Sequence, residues 1–293
     1  MAVFQHSVVQ AAAATSTDPV VEQSLRFVDD DTHYLSFTPS GASDREKFTW
    51  SFWIKRTALG SSTRGVLNYN SGSSYIVFDS EDRLQITVTP ESGSLLQFRT
   101  NARFRDTSAW QHIVFSYIAA ASPTRALWIN GVAHTDYDTT SPWGSWDGGE
   151  GDFGWGTSGE TIYIGTGNST GEPGDHLLAD FYCLDGTIKT AADFGETNSN
   201  GQWVPKETSF TSSEYGTAGV HLLFGDATYI GEDTSGEGND WTESNVASDD
   251  VLLDSPDSGD NFCTLNPLGA KAANTSSLNT LSEGNLQISG SNN

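Results

Sequence analysis

Residues 48–55, FTWSFWIK, place Phe48, Trp50, Phe52 and Ile54 on one face and Thr49, Ser51, Trp53 and Lys55 on the other. Successive side chains of an extended strand point to opposite sides, so this period of two specifies a half-buried β-strand, not a helix. Similar runs follow at regular spacing: GVLNY (65–69), SYIVF (74–78), RLQITVT (83–89), LLQFRTNARF (95–104), HIVFSYI (112–118), RALWING (125–131), TIYIGT (161–166), LLADFYCLDG (177–186) and HLLF (221–224). Gly, Pro, Asn, Asp and Ser cluster between them, as turns demand. No stretch of 12 residues shows an apolar 3-4 pattern; TAADFGETN (190–198) offers a turn or two of helix with Gly195 as its stop. About ten strands without an internal repeat predict an all-β, two-sheet antiparallel sandwich. A single sandwich of this kind routinely reaches about 200–250 residues, so the 293-residue length does not require two domains.

Charge and the length of the apolar runs each argue against a class of function. Thirty-eight Asp and Glu against 14 Lys and Arg give a net charge of −24, which repels a polyanion and argues against nucleic-acid binding. The apolar runs are a few residues long, against the roughly 18 to 20 a membrane-spanning helix needs. The start, MAVFQHSVVQAAAA, is apolar but has no Lys or Arg before Arg26, so it lacks the basic region of a secretion signal. Residues 1–24 read as an extended arm or short helix outside the domain, with a disordered terminus as the alternative. The two cysteines, Cys183 and Cys263, match neither a disulfide framework nor a zinc spacing, and whether they pair stays open.

FTWSFWIKR (48–56), AWQHIVFSY (109–117), ALWINGV (126–132), IYIGTG (162–167) and LADFYCLDG (178–186) stand in the order and spacing of laminin-G-like, concanavalin-A-like jelly rolls, which this chain resembles over about residues 24–186. The resemblance implies that the aromatic strand and the W-x-H strand build the core and that L-W-I-N-G is a strand ending in a tight turn. SLRFVDDDTHYLSFTPS, FTWSFWIKR, DTSGEGNDWTESN (233–245) and DSPDSGDNFCTLNPL (254–268) also resemble a group of virion proteins of tailed phages, tail-fibre-like or capsid decoration proteins. That narrower resemblance implies attachment to other virion proteins through residues 1–24, a homotrimer by analogy with fibres, and a particle assembled in the host cytoplasm. LSEGNLQISGSNN (281–293) resembles the first strand of a further β-domain.

Catalysis finds little support. Jelly rolls of this kind include β-glucan hydrolases, whose retaining chemistry needs two carboxyl groups about 5–5.5 Å apart, carried by an E-x-D-x-x-E or E-x-D-x-E run on one strand. No such run occurs. The nearest acidic cluster, Asp79, Glu81 and Asp82, lies between two strands and reads as solvated turn carboxylates. There is no G-x-S-x-G elbow, and the six histidines (His6, His33, His112, His134, His176 and His221) follow no motif tying one to Ser or Cys. His112, in a strand after Trp110, reads as structural, and Trp110 and Trp128 as core.

Two kinds of binding remain. Calcium prefers hard oxygen ligands, which three loops offer: Asp29, Asp30 and Asp31; Asp147, Glu150 and Asp152 in a Gly-rich frame; and Asp233, Asn239 and Asp240. Each has a solubilising turn as its alternative, and none is an EF-hand. Sugar rings stack on exposed aromatics, and PWGSWDGGEGDFGWG (142–156) gathers Trp143, Trp146, Phe153 and Trp155 beside Asp147 and Asp152. That loop is the foremost glycan-binding candidate, self or subunit packing being its alternative.

Between Lys206 and Lys271 no basic residue occurs, while 13 acidic ones do, over half of the net charge. HLLF, Trp241, VLL (251–253) and Phe262 recur there as apolar anchors, predicting an ordered coil wrapping the sandwich. The expected organisation is an arm (1–24), a jelly roll (25–206) and an acidic, loop-rich extension (207–293). The expected function is a non-enzymatic virion structural or adhesion protein that contacts host-surface glycans, with no membrane insertion and no certain cofactor. A secreted carbohydrate-binding, lectin-like module is the alternative, and a β-glucan hydrolase a third.

Overall fold

The computed structural model describes residues 20–29, 32–41, 43–60, 62–69, 74–88, 96–118, 124–140, 156–167, 172–257, 261, 280–282 and 287–289. Its strands are β1 (Ser24–Phe27), β2 (Tyr34–Phe37), β3 (Lys47–Arg56), β4 (Arg64–Tyr69), β5 (Ser74–Phe78), β6 (Arg83–Val88), β7 (Leu96–Arg103), β8 (Gln111–Ile118), β9 (Thr124–Ile129), β10 (Val132–Ala133), β11 (Ile162–Ile164), β12 (His176–Asp185), β13 (Gly195–Thr197), β14 (Trp203–Pro205), β15 (Val220–Leu222), β16 (Thr242–Ser244), β17 (Val251–Leu252), β18 (Thr280–Ser282) and β19 (Gln287–Ser289). One four-residue helix, α1 (Ser212–Tyr215), and short 3-10 turns complete the described elements. No helix among the described residues is long and apolar enough to cross a membrane.

Two antiparallel sheets carry the fold. One has the order β10-β9-β8-β3-β12-β1-β17, with β15 also on β12; the other runs β16-β2-β11-β4-β5-β6-β7. β12 serves two partners on one edge because a bulge between Ala179 and Tyr182, with Asp180 at φ 50, divides it. Its first half pairs with β1 (Leu178 opposite Leu25) and its second with β15 (Phe181 opposite Leu222). The tight turn after L-W-I-N-G is present: Asn130 and Gly131, at φ 50 and 78, form the two-residue Asn-Gly loop joining β9 to β10.

Between the sheets Phe48, Trp50, Phe52 and Ile54 of β3 join Ile76, Phe78, Leu84, Ile86 and Phe98 of the facing strands, all essentially without exposure. Burial of each such side chain contributes about 1.5–3 kcal/mol. The acidic segment enters this core: Val220, Leu222, Phe224, Ile230 and Trp241 belong to it, and Trp241 packs on Phe37 and Phe181 with ring centroids 5.6 and 6.4 Å away. It also supplies β15, β16 and β17, so it completes both sheets.

β3 is not half-buried as its alternation predicts; every residue of it after Lys47 is buried. The outer face of the eight-stranded sheet is covered by a second apolar layer. Val114, Tyr182 and Leu184 pack under Ala191, Phe194 and Tyr215, while Trp53, Trp110, Leu177 and Ala179 pack with Val21. The segment 190–198 makes a single 3-10 turn, Ala191–Asp193, and Gly195 opens the β13–β14 hairpin. Under this layer lie two polar groups that only hydrogen bonding makes tolerable. Lys55, fully buried, donates from Nζ to Asp254 (2.7 Å) and Asn261 (3.0 Å), and Asp254 also accepts from Trp110 Nε1 (3.0 Å). His112 accepts at Nδ1 from Trp203 Nε1 (3.0 Å), which makes Nε2 the donor to Ser51 Oγ (2.8 Å); burial lowers its pKa to about 3.

Candidate functional site

The seven-stranded sheet treats its outer face differently. The alternation that turns Leu35, Ile162, Leu67, Ile76, Ile86 and Phe98 into the core turns the residues between them outward. Register aligns those residues into one row across the whole sheet: Thr242, Ser36, Tyr163, Asn68, Tyr75, Thr87 and Gln97 are successive cross-strand partners. With strands about 4.8 Å apart, the six intervals span about 29 Å. Tyr34 stands beside the row and meets Tyr163 edge to face, centroids 5.5 Å apart. Tyr34, Tyr75 and Tyr163 are each half-buried, leaving part of each ring to solvent. Hydroxyls and amides occupy the gaps: Gln85 Nε2 donates to Tyr75 Oη (3.1 Å), Gln97 Nε2 lies 3.5 Å from Thr87 Oγ1, and Thr38 and Thr161 hydroxyls are 2.8 Å apart. Asn68 and Thr87, at 1% and 3% exposure, are covered; Tyr34, Ser36, Tyr75, Gln97 and Tyr163 keep part of their surface exposed and Thr242 is exposed, and it is these phenol rings, hydroxyls and one amide that suit a ligand having C–H faces and hydroxyl groups.

Beyond Gln85 the face ends in a cluster of arginines and carboxylates. Arg99 donates to Asp79 (3.1 Å) and Asp138 (2.5 Å), and Arg83 to Asp138 (3.1 Å) and Glu81. Arg103 also meets Glu81, while Arg56 and Arg105 share Asp82 at 2.9 and 2.7 Å. Asp79, Glu81 and Asp82 therefore lie in a turn, as expected, and all three are ion-paired; Glu81 is exposed, whereas Asp79 and Asp82 are buried, Asp82 to 1% exposure. Hydrogen bonds from Thr140 and Arg99 hold the Asp138 carboxyl well below the usual range, and Arg83 lowers that of Glu81. For Asp82 burial pushes upward, yet bonds from the Gly60 amide, Arg105 and Arg56 bring it below the ordinary value.

Trp143, Trp146, Asp147, Glu150, Asp152 and Trp155 lie outside the described residues, as do Asp30 and Asp31. The flanks of the 142–156 loop both touch the seven-stranded sheet: the Asp138 amide bonds to Arg99 O on β7 (2.9 Å), and the Gly159 amide to Pro39 O beyond β2 (2.9 Å). Asp29 pairs with Arg64. Asp233 and Asp240 bind their own loop: Asp233 accepts from the amides of His221, Ser235 and Asn239 at 2.9–3.0 Å, and Asp240 from the Asp233 amide and Tyr229 hydroxyl, each at 2.9 Å. Asn239 Nδ2 donates to the carbonyls of Thr217 and Gly219. Among the described residues no group of three His, Cys, Asp or Glu could hold a metal ion. Trp110 is buried and Trp128 partly buried on the outer layer of the other sheet. Cys183 is buried in the core; Cys263 lies outside the described residues.

One constellation escaped the sequence reading. His221 Nε2 lies 2.9 Å from Asp180 Oδ1 and Nδ1 3.0 Å from the Thr234 hydroxyl, groups 41 and 13 residues away along the chain. It lacks the means of acyl transfer, which needs amide donors aimed at an oxyanion. The Thr234 amide already donates to His221 O and the Ser235 amide to Asp233. The row on the seven-stranded sheet escaped too, because alternation reveals the outward residues but not the register that aligns them.

Residues 29–182, just over half the chain, match the family model of the concanavalin A-like lectin/glucanases superfamily, of laminin-G type. No curated protein matches the chain in sequence. Among solved structures, the chain is similar in fold to a Bacteroides ovatus protein described as carbohydrate-binding, with 14% identity and TM-score 0.51 over 81% of this chain and 62% of that one. It therefore spans less than two thirds of that protein. A heptameric pentraxin of Limulus polyphemus aligns at 15% identity and TM-score 0.42 over 59% of this chain and 80% of its own. Laminin α1 domains LG4-5 of mouse align at 12% identity and TM-score 0.40 over 59% and 44%.

Proposed function

Because the chain belongs to the concanavalin A-like lectin/glucanase superfamily, we propose that it is a non-catalytic carbohydrate-binding module that holds its glycan on the outer face of the seven-stranded sheet. The observation that carries this reading is that cross-strand register sets the partly exposed Ser36, Tyr163, Tyr75 and Gln97 in one line, with the buried Asn68 and Thr87 between them. The description of the Bacteroides ovatus protein as carbohydrate-binding agrees with it. Against catalysis stands the state of the carboxylates bordering the face. A glycosidase acid must keep its proton near neutral pH, which requires a raised pKa, whereas Glu81, Asp82 and Asp138 are all held down. The loop 142–156, with Trp143, Trp146 and Trp155, is a second candidate for glycan contact on its sequence alone.

The test is a glycan array followed by calorimetry. Binding by the wild type, weakened about tenfold or more by Tyr163→Ala at unchanged melting temperature, supports the site; stacking on one ring is worth roughly 1–2 kcal/mol. Release of reducing sugar from a β-glucan panel would overturn the non-catalytic reading. A virion setting, with residues 1–24 as the attachment arm and a fibre-like trimer, has the sequence resemblance alone behind it; neither the family match nor these neighbours point to a phage particle. Locating the chain on purified particles by immunogold labelling tests that setting, and unlabelled particles would sink it.

A further inference from the structure

The charge around the proposed glycan face selects among glycans. We propose that its ligands are neutral glycans, and that sialylated, uronate-bearing or sulfated ones are excluded by charge; this rests on the reading of the face as a glycan site. Three observations carry the inference.

The accessible part of the row is uncharged: Thr242, Ser36, Tyr163, Tyr75 and Gln97 offer hydroxyls, phenol rings and one amide, and the covered Asn68 and Thr87 between them are neutral too. Such groups match the hydroxyls of a neutral sugar, which donate and accept in pairs, while a carboxylate or sulfate accepts only and is best met by Arg or Lys. Among the described residues, the cations bordering the face are already engaged. Arg64 meets Asp29 and Asp175, Arg83 meets Glu81 and Asp138, and Arg99 meets Asp79 and Asp138. An anionic sugar would have to displace one of these carboxylates, leaving it partly buried without its partner, a loss that offsets what the new ion pair gains.

The surroundings repel as well. β16 forms one edge of the sheet, and Asp240 stands just before it within a segment that has no Lys or Arg between Lys206 and Lys271. In a chain of net charge −24 the unscreened field at this edge is negative, reaching about 10 Å at ionic strength near 0.1 M.

Salt dependence turns this into a measurement. Calorimetry on the intact chain would compare a neutral oligosaccharide found on the array with its sulfated or sialylated derivative, at ionic strengths of about 20 and about 300 mM. The neutral ligand should bind with an affinity that changes less than about twofold between the two, because no ion pair forms. Its anionic derivative should bind about tenfold or more weakly at low salt and recover severalfold at high salt, as screening removes repulsion. An anionic derivative that binds more tightly than its parent, with affinity falling as salt rises, overturns the inference while leaving the glycan site standing. Absence of binding by either class, or equal binding by wild type and a folded Tyr163→Ala variant, overturns the glycan site and this inference with it.

Discussion

Replacing His112 with Gln should remove a defined share of the protein's acid sensitivity. The imidazole is fully buried between Trp53, 4.6 Å away centroid to centroid, and Trp203, and burial lowers its pKa from 6.5 to about 3. His176 is buried likewise and lowered to about 3, by burial first and then by Arg56 and Arg64. A depressed histidine stabilises the fold above its unfolded pKa of 6.5, and that stability is lost as the pH falls toward 3, because the unfolded chain takes up the proton first. Between pH 7 and pH 5 the integrated loss is about 2 kcal/mol for each histidine, and any folded pKa below about 4 gives the same figure. Asp185 works in the opposite direction: burial raises its pKa to about 6, so the folded form gains a proton on acidification and recovers about 1 kcal/mol over the same interval. The measurement is therefore a difference. Urea unfolding followed by tryptophan fluorescence at pH 7 and pH 5 should show His112→Gln losing about 2 kcal/mol less than the wild type. Equal losses in the two proteins would refute the assignment of His112 as a buried neutral base.

Asp254→Ala should cost about 3–5 kcal/mol, since it strands Lys55 in the interior, and the pair Lys55→Met with Asp254→Leu should regain most of that stability in the same urea titration. Trp241→Ala should cost about 3–5 kcal/mol if the acidic segment is part of the core; a cost below about 1 kcal/mol would make that segment an appendage. Gly131→Ala should lower the melting temperature by destabilising the β9–β10 turn about 2 kcal/mol, because φ is 78 and a Cβ there would stand 2.5 Å from the Trp203 ring.

The sandwich was legible where strands are long. β3, β8 and β12 have eight to ten residues each, enough for alternation or a continuous apolar run to show, and the Asn-Gly pair marks its own turn by chemistry. β11, β15 and β16 have three residues each and β17 two, too few to display a period, so the sheet-completing role of the acidic segment stayed hidden behind its charge. Alternation puts Ser51 and Lys55 on the outward face of β3, and sequence gives no hint that Phe194, Trp203 and Tyr215 on one part of that side, and Val21, Trp110 and Asp254 on the other, return to cover it. The same limit applies to Asp79, Glu81 and Asp82: a turn is a local fact, but the arginines that neutralise it come from β3, β6, β7 and the loop after β7.

The two outer faces differ in how far they are covered. A sheet with both faces apolar must be covered twice, and here the eight-stranded sheet receives the hairpin β13–β14, α1 and the segment leading into β1. The seven-stranded sheet alternates Ile, Leu and Phe inward with mostly polar residues outward, and of these Asn68, Val77, Gln85 and Thr87 are covered while Tyr34, Ser36, Tyr75, Gln97 and Tyr163 keep partial exposure. Moving a single one of its strands by one residue would send core side chains to solvent, so the register that protects the core is also what lines up Ser36, Tyr163, Asn68, Tyr75, Thr87 and Gln97. Stability and the geometry of the face are thus set by the same pairing, and a variant that slips β4 or β5 should lose both together, whereas Tyr163→Ala should lose binding alone.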